Sequence, residues 1–112
     1  MVKILNETTT VSAEKTITQI EMLLVKYGAR GILKNYDNAG LPATLEFQVI
    51  TKFGLRAIRL PANVDAIYRI ITKGKRAVRE RDAIYRVQAA RVAWRIVKDW
   101  VEAQMAIIQA EM

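Results

Sequence analysis

Neither cysteine nor histidine occurs in the chain, and serine occurs once. Thiolate and imidazole chemistry are both excluded: there is no Cys or His nucleophile, no Ser-His-Asp triad, no Cys/His zinc site and no disulfide framework. The single serine, Ser12, precedes a helical pattern and serves there as an N-cap. Long uncharged apolar runs are also missing; none reaches the roughly 18 residues that a membrane span needs. Residues 1–10 hold one lysine and no apolar h-region, so they do not read as a signal peptide. The expectation is a soluble cytoplasmic protein without cofactor or membrane partner.

What is present bounds the fold. The 112 residues are 52% hydrophobic, enough for a packed core and sufficient for one domain, 1–112. The net charge is +7, and it is unevenly placed. Residues 69–98 hold ten basic side chains against two acidic ones, a surplus of eight that leaves the rest of the chain at minus one. Such a region concentrates anions, phosphates above all, or serves as a solvated face.

Turn signals divide the chain. Residues 2–10, with Ile4, Leu5 and three consecutive threonines, read as a strand. Ile17, Ile20, Leu23, Leu24 and Tyr27 follow Ser12 at helical spacing, and Gly28 stops that helix. Residues 29–36 read as a strand ending in the turn chemistry of Asp37, Asn38, Ala39 and Gly40. Leu45, Phe47 and Val49 alternate with polar residues, and residues 55–60 form another strand closed by Pro61. Asn63 caps a short helix whose apolar face is Val64, Ile67, Tyr68 and Ile71. Residues 78–111 contain no Gly or Pro and read as one long helix, or as two with a subtle break.

The predicted class is α+β: a small antiparallel sheet of three or four strands, one packed helix, a short helix and a long C-terminal oligomerisation helix. That helix would be about 50 Å long, against a radius of gyration of about 13 Å for a compact domain of this size. Its apolar residues, including Val92, Trp94, Ile96, Val97, Trp100 and Val101, wrap most of its girth, far more than a surface helix needs. Two arrangements satisfy it. Either a second copy of the chain covers one face, the favoured reading, or the shorter helices do so within one chain.

Catalysis finds few tools. The eleven carboxylates are scattered, and several have local partners at helical spacing: Asp65 with Arg69, Glu80 with Arg76, Asp82 with Arg86, Asp99 with Arg95, Glu102 with Lys98. No Gly-rich phosphate loop is present. The expectation is a protein that is not an enzyme. Anion binding has better material, since ten of the 18 basic residues are arginines, whose planar forks match phosphate oxygens. Arg91 and Arg95 stand one turn apart on one helix face. Arg91 has no carboxylate nearby in sequence, so it answers either to an outside anion or to a carboxylate of another strand or chain, such as Glu46. Arg56 and Arg59 point to opposite faces of their strand, and Lys73, Lys75 and Arg76 form a basic loop able to close over a phosphate or to stay solvated.

The stretch Arg86-Val-Gln-Ala-Ala-Arg-Val-Ala-Trp-Arg-Ile-Val-Lys-Asp-Trp-Val-Glu-Ala-Gln resembles a helix found in small phage and prophage proteins. The opening Thr8-Thr-Thr-Val-Ser-Ala-Glu-Lys-Thr and the Leu60-Pro-Ala segment resemble the same group. The group carries a further apolar tail after this helix, which the residues up to Met112 do not include. Some phage accessory proteins of similar layout are counter-defence sponges, symmetric oligomers that hold nucleotide immune signals in arginine-lined pockets between chains. The resemblance implies a homo-oligomer in the host-cell cytoplasm that sequesters a small nucleotide, cyclic ones included. Arg91 and Arg95 would clamp phosphate, and Arg56, Arg59, Lys73, Lys75 or Arg76 would complete the site. The other reading of the same charges is a nucleic-acid-binding accessory protein that lays the basic segment along a phosphate backbone, and a third is a module whose basic face meets an acidic protein.

Overall fold

The structure is a computed structural model that describes residues 4–51, 54–75 and 79–110. It has the expected α+β class: helix α1 (Ala13–Lys26), strands β1 (Ile32–Tyr36), β2 (Pro42–Thr51) and β3 (Gly54–Pro61), helix α2 (Val64–Thr72) and helix α3 (Arg79–Gln109). The three strands form one antiparallel sheet in the order β1-β2-β3.

The helix boundaries follow from the caps. The Ser12 hydroxyl accepts from the Lys15 amide at 3.1 Å, and the Asn63 side chain accepts from the Ala66 amide at 3.0 Å. Each satisfies a backbone donor that the first helical turn leaves unpaired. Gly28, at φ 98°, supplies the left-handed residue that ends α1. At the β1–β2 turn, Asp37 Oδ1 accepts from the amides of Ala39 and Leu41, both at 2.9 Å. That Asx geometry sets the hairpin.

Register fixes the two faces of the sheet. Ile32 opposes Phe47, which opposes Ile58, and Leu45 opposes Leu60. Leu45, Phe47 and Leu60 are buried in one core with the inward stripe of α1, Ala13, Thr16, Ile17, Ile20 and Leu24. The other face carries Glu46 opposite Arg59 and Gln48 opposite Ala57, and stays wet.

Residues 2–10 were expected to be a strand. Residues 5–8 form turns instead, with Asn6 at φ 64°, and residues 1–3 lie outside the described residues. The reason is side-chain chemistry on α3. The Gln88 amide donates to the carbonyls of Glu7 (3.1 Å) and Thr9 (2.9 Å), and the Asn6 amide donates to Asp99 at 2.9 Å. The two Gln88 bonds use backbone carbonyls that a ladder would have used, and the Asn6 side chain adds a second anchor, so the segment straps α3 rather than joining the sheet.

Helix α3 is continuous over its 31 residues, about 46 Å. Its middle is enclosed on several sides: Ala89, Ala90, Val92, Ala93, Trp94 and Val101 are buried. One flank is α1, the other α2, and the Trp94 indole N–H donates to the Pro42 carbonyl at 3.0 Å at the start of β2. Over this stretch the second face of the helix is therefore covered by the chain's own short helices, the less favoured of the two arrangements considered above. α2 is fastened by Tyr68, whose hydroxyl donates to Asp82 while the Arg86 guanidinium lies 4.2 Å over its ring.

Two outcomes are expected. Trp94→Phe keeps most of the ring but removes the buried donor to the Pro42 carbonyl, and it should cost about 1–3 kcal/mol by urea unfolding; no loss would mean that the bond is not formed. The hydrogen bond to Asp82 raises the Tyr68 pKa above the ordinary 10.0, with burial and the carboxylate charge adding to it and Arg86 opposing. The protonated phenol is the bonded form, so this tie holds below pH 10 and is lost as pH rises through the raised value. Among the four tyrosines, an absorbance titration should show one ionising late. Tyr68→Phe should remove that late component.

Candidate anion site on the last helix

The polar stripe of α3 runs through Gln88, Arg91, Arg95 and Asp99, and the N-terminal strap is anchored at its two ends. Between those anchors lie the two arginines, both half-buried. The Arg95 Nη1 donates to Gln19 Oε1 at 2.7 Å and to the Thr16 hydroxyl at 3.5 Å, so α1 orients it. The Arg91 Nη1 reaches only Gln88 Oε1, at 3.4 Å, and its Nε is buried with no hydrogen-bond partner.

None of these partners carries a charge. Among the described residues no carboxylate lies within ion-pair distance of Arg91 or Arg95. Asp99, expected to pair with Arg95 one turn away, accepts from Asn6 instead. Glu46, the candidate partner for Arg91, is held by Arg59 at 2.6 Å across the β2–β3 ladder. Two positive charges about one turn apart repel by a few tenths of a kcal/mol even on an open helix, and half-burial strengthens that cost. The arrangement is what an anion would relieve.

The other candidate residues lie elsewhere. Arg56 and Arg59 do face opposite sides of the sheet, as the two-residue period predicts, since Arg56 opposes Val49 and Arg59 opposes Glu46. Arg56 is exposed. Lys73 and Lys75 are exposed beyond α2, and the Lys75 ammonium lies 4.9 Å over the Tyr85 ring. Arg76 lies outside the described residues. The pairs Asp82–Arg86 (3.4 Å) and Lys98–Glu102 form as expected, but Asp65 pairs with Arg86 at 3.4 Å rather than with Arg69. Within one chain the described candidates thus fall into three places: Arg91 with Arg95 beside α1, the β3 pair, and the end of α2.

Thr16, Gln19 and Gln88 were not singled out by sequence reasoning. One signal existed for Thr16. It sits on the inward stripe of α1 and is fully buried, and a buried hydroxyl needs a partner. For Gln19 and Gln88 sequence offers nothing, because their roles depend on which helix packs beside them.

Several grooves lie among the described residues of these elements. One of about 320 Å³ is lined by Arg59, Leu60, Ile96, Val97 and Trp100, and another of about 260 Å³ crosses the wet face of the sheet at Gly31, Leu33, Glu46 and Gln48. Neither Arg91 nor Arg95 lines these grooves or the two others described, one beside α1 at Glu21 and Met22 and one at Ala57 and Ile58. Among the described residues no group of acidic side chains could hold a metal ion, and no helix is long and apolar enough to cross a membrane.

Comparison with known proteins finds no match: no family model matches the chain, no curated protein is similar to it, and no solved structure matches its fold.

Replacing Arg91 by Met keeps the apolar stem and removes both the buried, unpartnered Nε and the repulsion with Arg95. Arg91→Met should raise stability by about 1 kcal/mol, or about 4–8 °C in Tm for a domain near this size. A fall of similar size would show that the guanidinium is satisfied by the fold and awaits no ligand.

Proposed function

We propose that this protein is a non-catalytic binder of a phosphate-bearing nucleotide, with Arg91 and Arg95 as the phosphate clamp. The observation that carries this reading is the pair's isolation: two half-buried guanidiniums whose protein partners are all neutral, one with a buried donor left over. Sites that await a charged ligand commonly hold such destabilised groups in advance. Guanidinium is the suitable group, because its fork holds two phosphate oxygens at once. Arg56, Arg59 or the 73–76 loop reach this ligand only from a neighbouring protomer, since in one chain they sit elsewhere. In a phage setting, which rests on the resemblance of the last helix, the ligand is a small signalling nucleotide and binding removes it from circulation.

A second reading has its own observation. Arg69, Lys73, Lys75 and Arg81 are exposed around the end of α2 and the start of α3, in a stretch that also contains Arg76 and Arg79. Such a basic end suits the backbone of a nucleic acid.

Salt and position separate the two. Binding of labelled nucleotides, cyclic dinucleotides included, and of a labelled single-stranded oligonucleotide is measured at about 50 and 200 mM salt. The clamp predicts nucleotide affinity that falls modestly with salt and drops about tenfold or more in Arg91→Ala or Arg95→Ala, the value of a charged hydrogen bond. Lys73→Ala with Lys75→Ala lowers it less than either arginine substitution, because that loop at most completes the site. The nucleic-acid reading predicts oligonucleotide binding that falls steeply with salt and depends on Lys73 and Lys75. Nucleotide binding indifferent to both arginines would end the clamp proposal.

A further inference from the structure

The chain exposes more surface than its mass requires. Its accessible surface is 7952 Å², where a compact monomer of this mass shows about 6,200 Å². Its radius of gyration is 15.7 Å, against about 13 Å for a compact domain of this length. The excess, on the order of 1,700 Å², is more than the roughly 800 Å² that each partner buries in a standard interface.

Part of that excess has a pattern. Along α3, Ala89, Ala93, Ile96, Trp100, Ala103 and Ile107 recur at spacings of four and three, the seam of a coiled coil. α2 and the end of β3 cover the seam at Ala89 and Ala93, which are buried. Beyond them it runs uncovered: Trp100 is 54% exposed and Ile107 38%. Residues 103–110 carry no charge at all. The groove of about 320 Å³ opens on this seam, with Leu60, Ile96, Val97 and Trp100 as walls and the Arg59 guanidinium at its rim.

We propose that a second copy of this chain covers the seam, with the two α3 helices antiparallel about a twofold axis level with Val101 and Glu102. This alignment sets Trp100 against Ala103 of the partner subunit and Ile96 against Ile107 of the partner subunit, so each large side chain meets a small one or an equal. A parallel pair would set Trp100 against its own copy and leave a gap at Ala103. Charge agrees with the antiparallel choice. The last turn of α3 has no basic residue to offset its carbonyls, and antiparallel pairing carries that negative end towards Arg59 on the other protomer. The seam continues the α2–α3 interface, so the second helix takes the place along α3 that α2 vacates. The interface lies roughly half a turn of helix from Arg91, and the proposal stands without the nucleotide reading.

The absence of native cysteine makes the test clean. Light scattering at about 100 μM should give twice the chain mass of 12.7 kDa. Trp100→Glu and Ala103→Arg should each weaken association at least 30-fold, roughly the effect of a central interface residue, with circular dichroism unchanged. Under oxidation, the Ile96→Cys, Ile107→Cys double variant should form a covalent dimer, while each single variant should not. The two cysteines of one chain, about 16 Å apart along the helix, cannot bridge each other. A wild-type mass of one chain overturns the proposal, as does a dimer that survives both seam substitutions. A single variant that cross-links efficiently overturns the antiparallel arrangement.

Discussion

The middle of α3 has to be enclosed from nearly every side, and the rest of the fold answers to that requirement. Between Ala89 and Trp94 every residue except Arg91 is buried. Three of the five buried residues are alanines, which offer little apolar area of their own but let neighbours approach closely. α1, α2 and the start of β2 each supply one wall. Trp94 joins the last of these by filling volume and by giving its one donor to the Pro42 carbonyl. The sheet itself is small and β3 packs little against the helices, so Ile50, Leu55 and Ile58 remain exposed.

The polar stripe is the one break in that enclosure, and the fold uses it for fastening. Gln88 and Asp99 hold the N-terminal strap, and Arg95 is held by α1. What the fold does not do is neutralise the stripe. The carboxylates close enough in sequence to do so are engaged with Asn6, Lys98 or Arg86. On the sheet, Glu46 is held by Arg59 and Lys34 by Glu21, whose Oε1 has that ion pair as its only polar contact. Arg56, Arg69, Lys73, Lys75 and Arg81 also have no ion-pair partner among the described residues, but they are exposed; Arg91 and Arg95 are half-buried, and that difference gives the basic segment a local meaning that net charge lacks.

Much of the fold was legible because its signals are local. Ser12, Asn63, Gly28 and the Asp37 turn each act within a few residues, and the alternation of Leu45, Phe47 and Val49 needs no knowledge of the rest. Non-local chemistry was not legible. The β-rich look of residues 2–10 lost to bonds with Gln88 and Asp99, some 80 to 90 positions away. The i, i+4 rule pointed Asp99 at Arg95 and Asp65 at Arg69, yet both acids chose partners from other elements. The apolar girth of α3 pointed to the chain's own sheet and a second chain as its two partners; within the protomer it is α1 and α2, not the sheet, that pack most closely along it, which sequence could not say. For the site, the arginine pair and its lack of a local acid were visible. Its setting beside Thr16 and Gln19 was not.

The central claim is that the Arg91–Arg95 pair is held ready for a phosphate. Arginine side-chain NMR during a pyrophosphate titration tests it most directly, since each Nε–H reports its own surroundings. The account predicts that the Arg91 and Arg95 signals move together and saturate, with the protected Arg91 Nε–H moving furthest, while those of Arg69 and Arg81 drift weakly or stay still. Movement confined to Arg69 and Arg81, or no saturable movement anywhere, would contradict it.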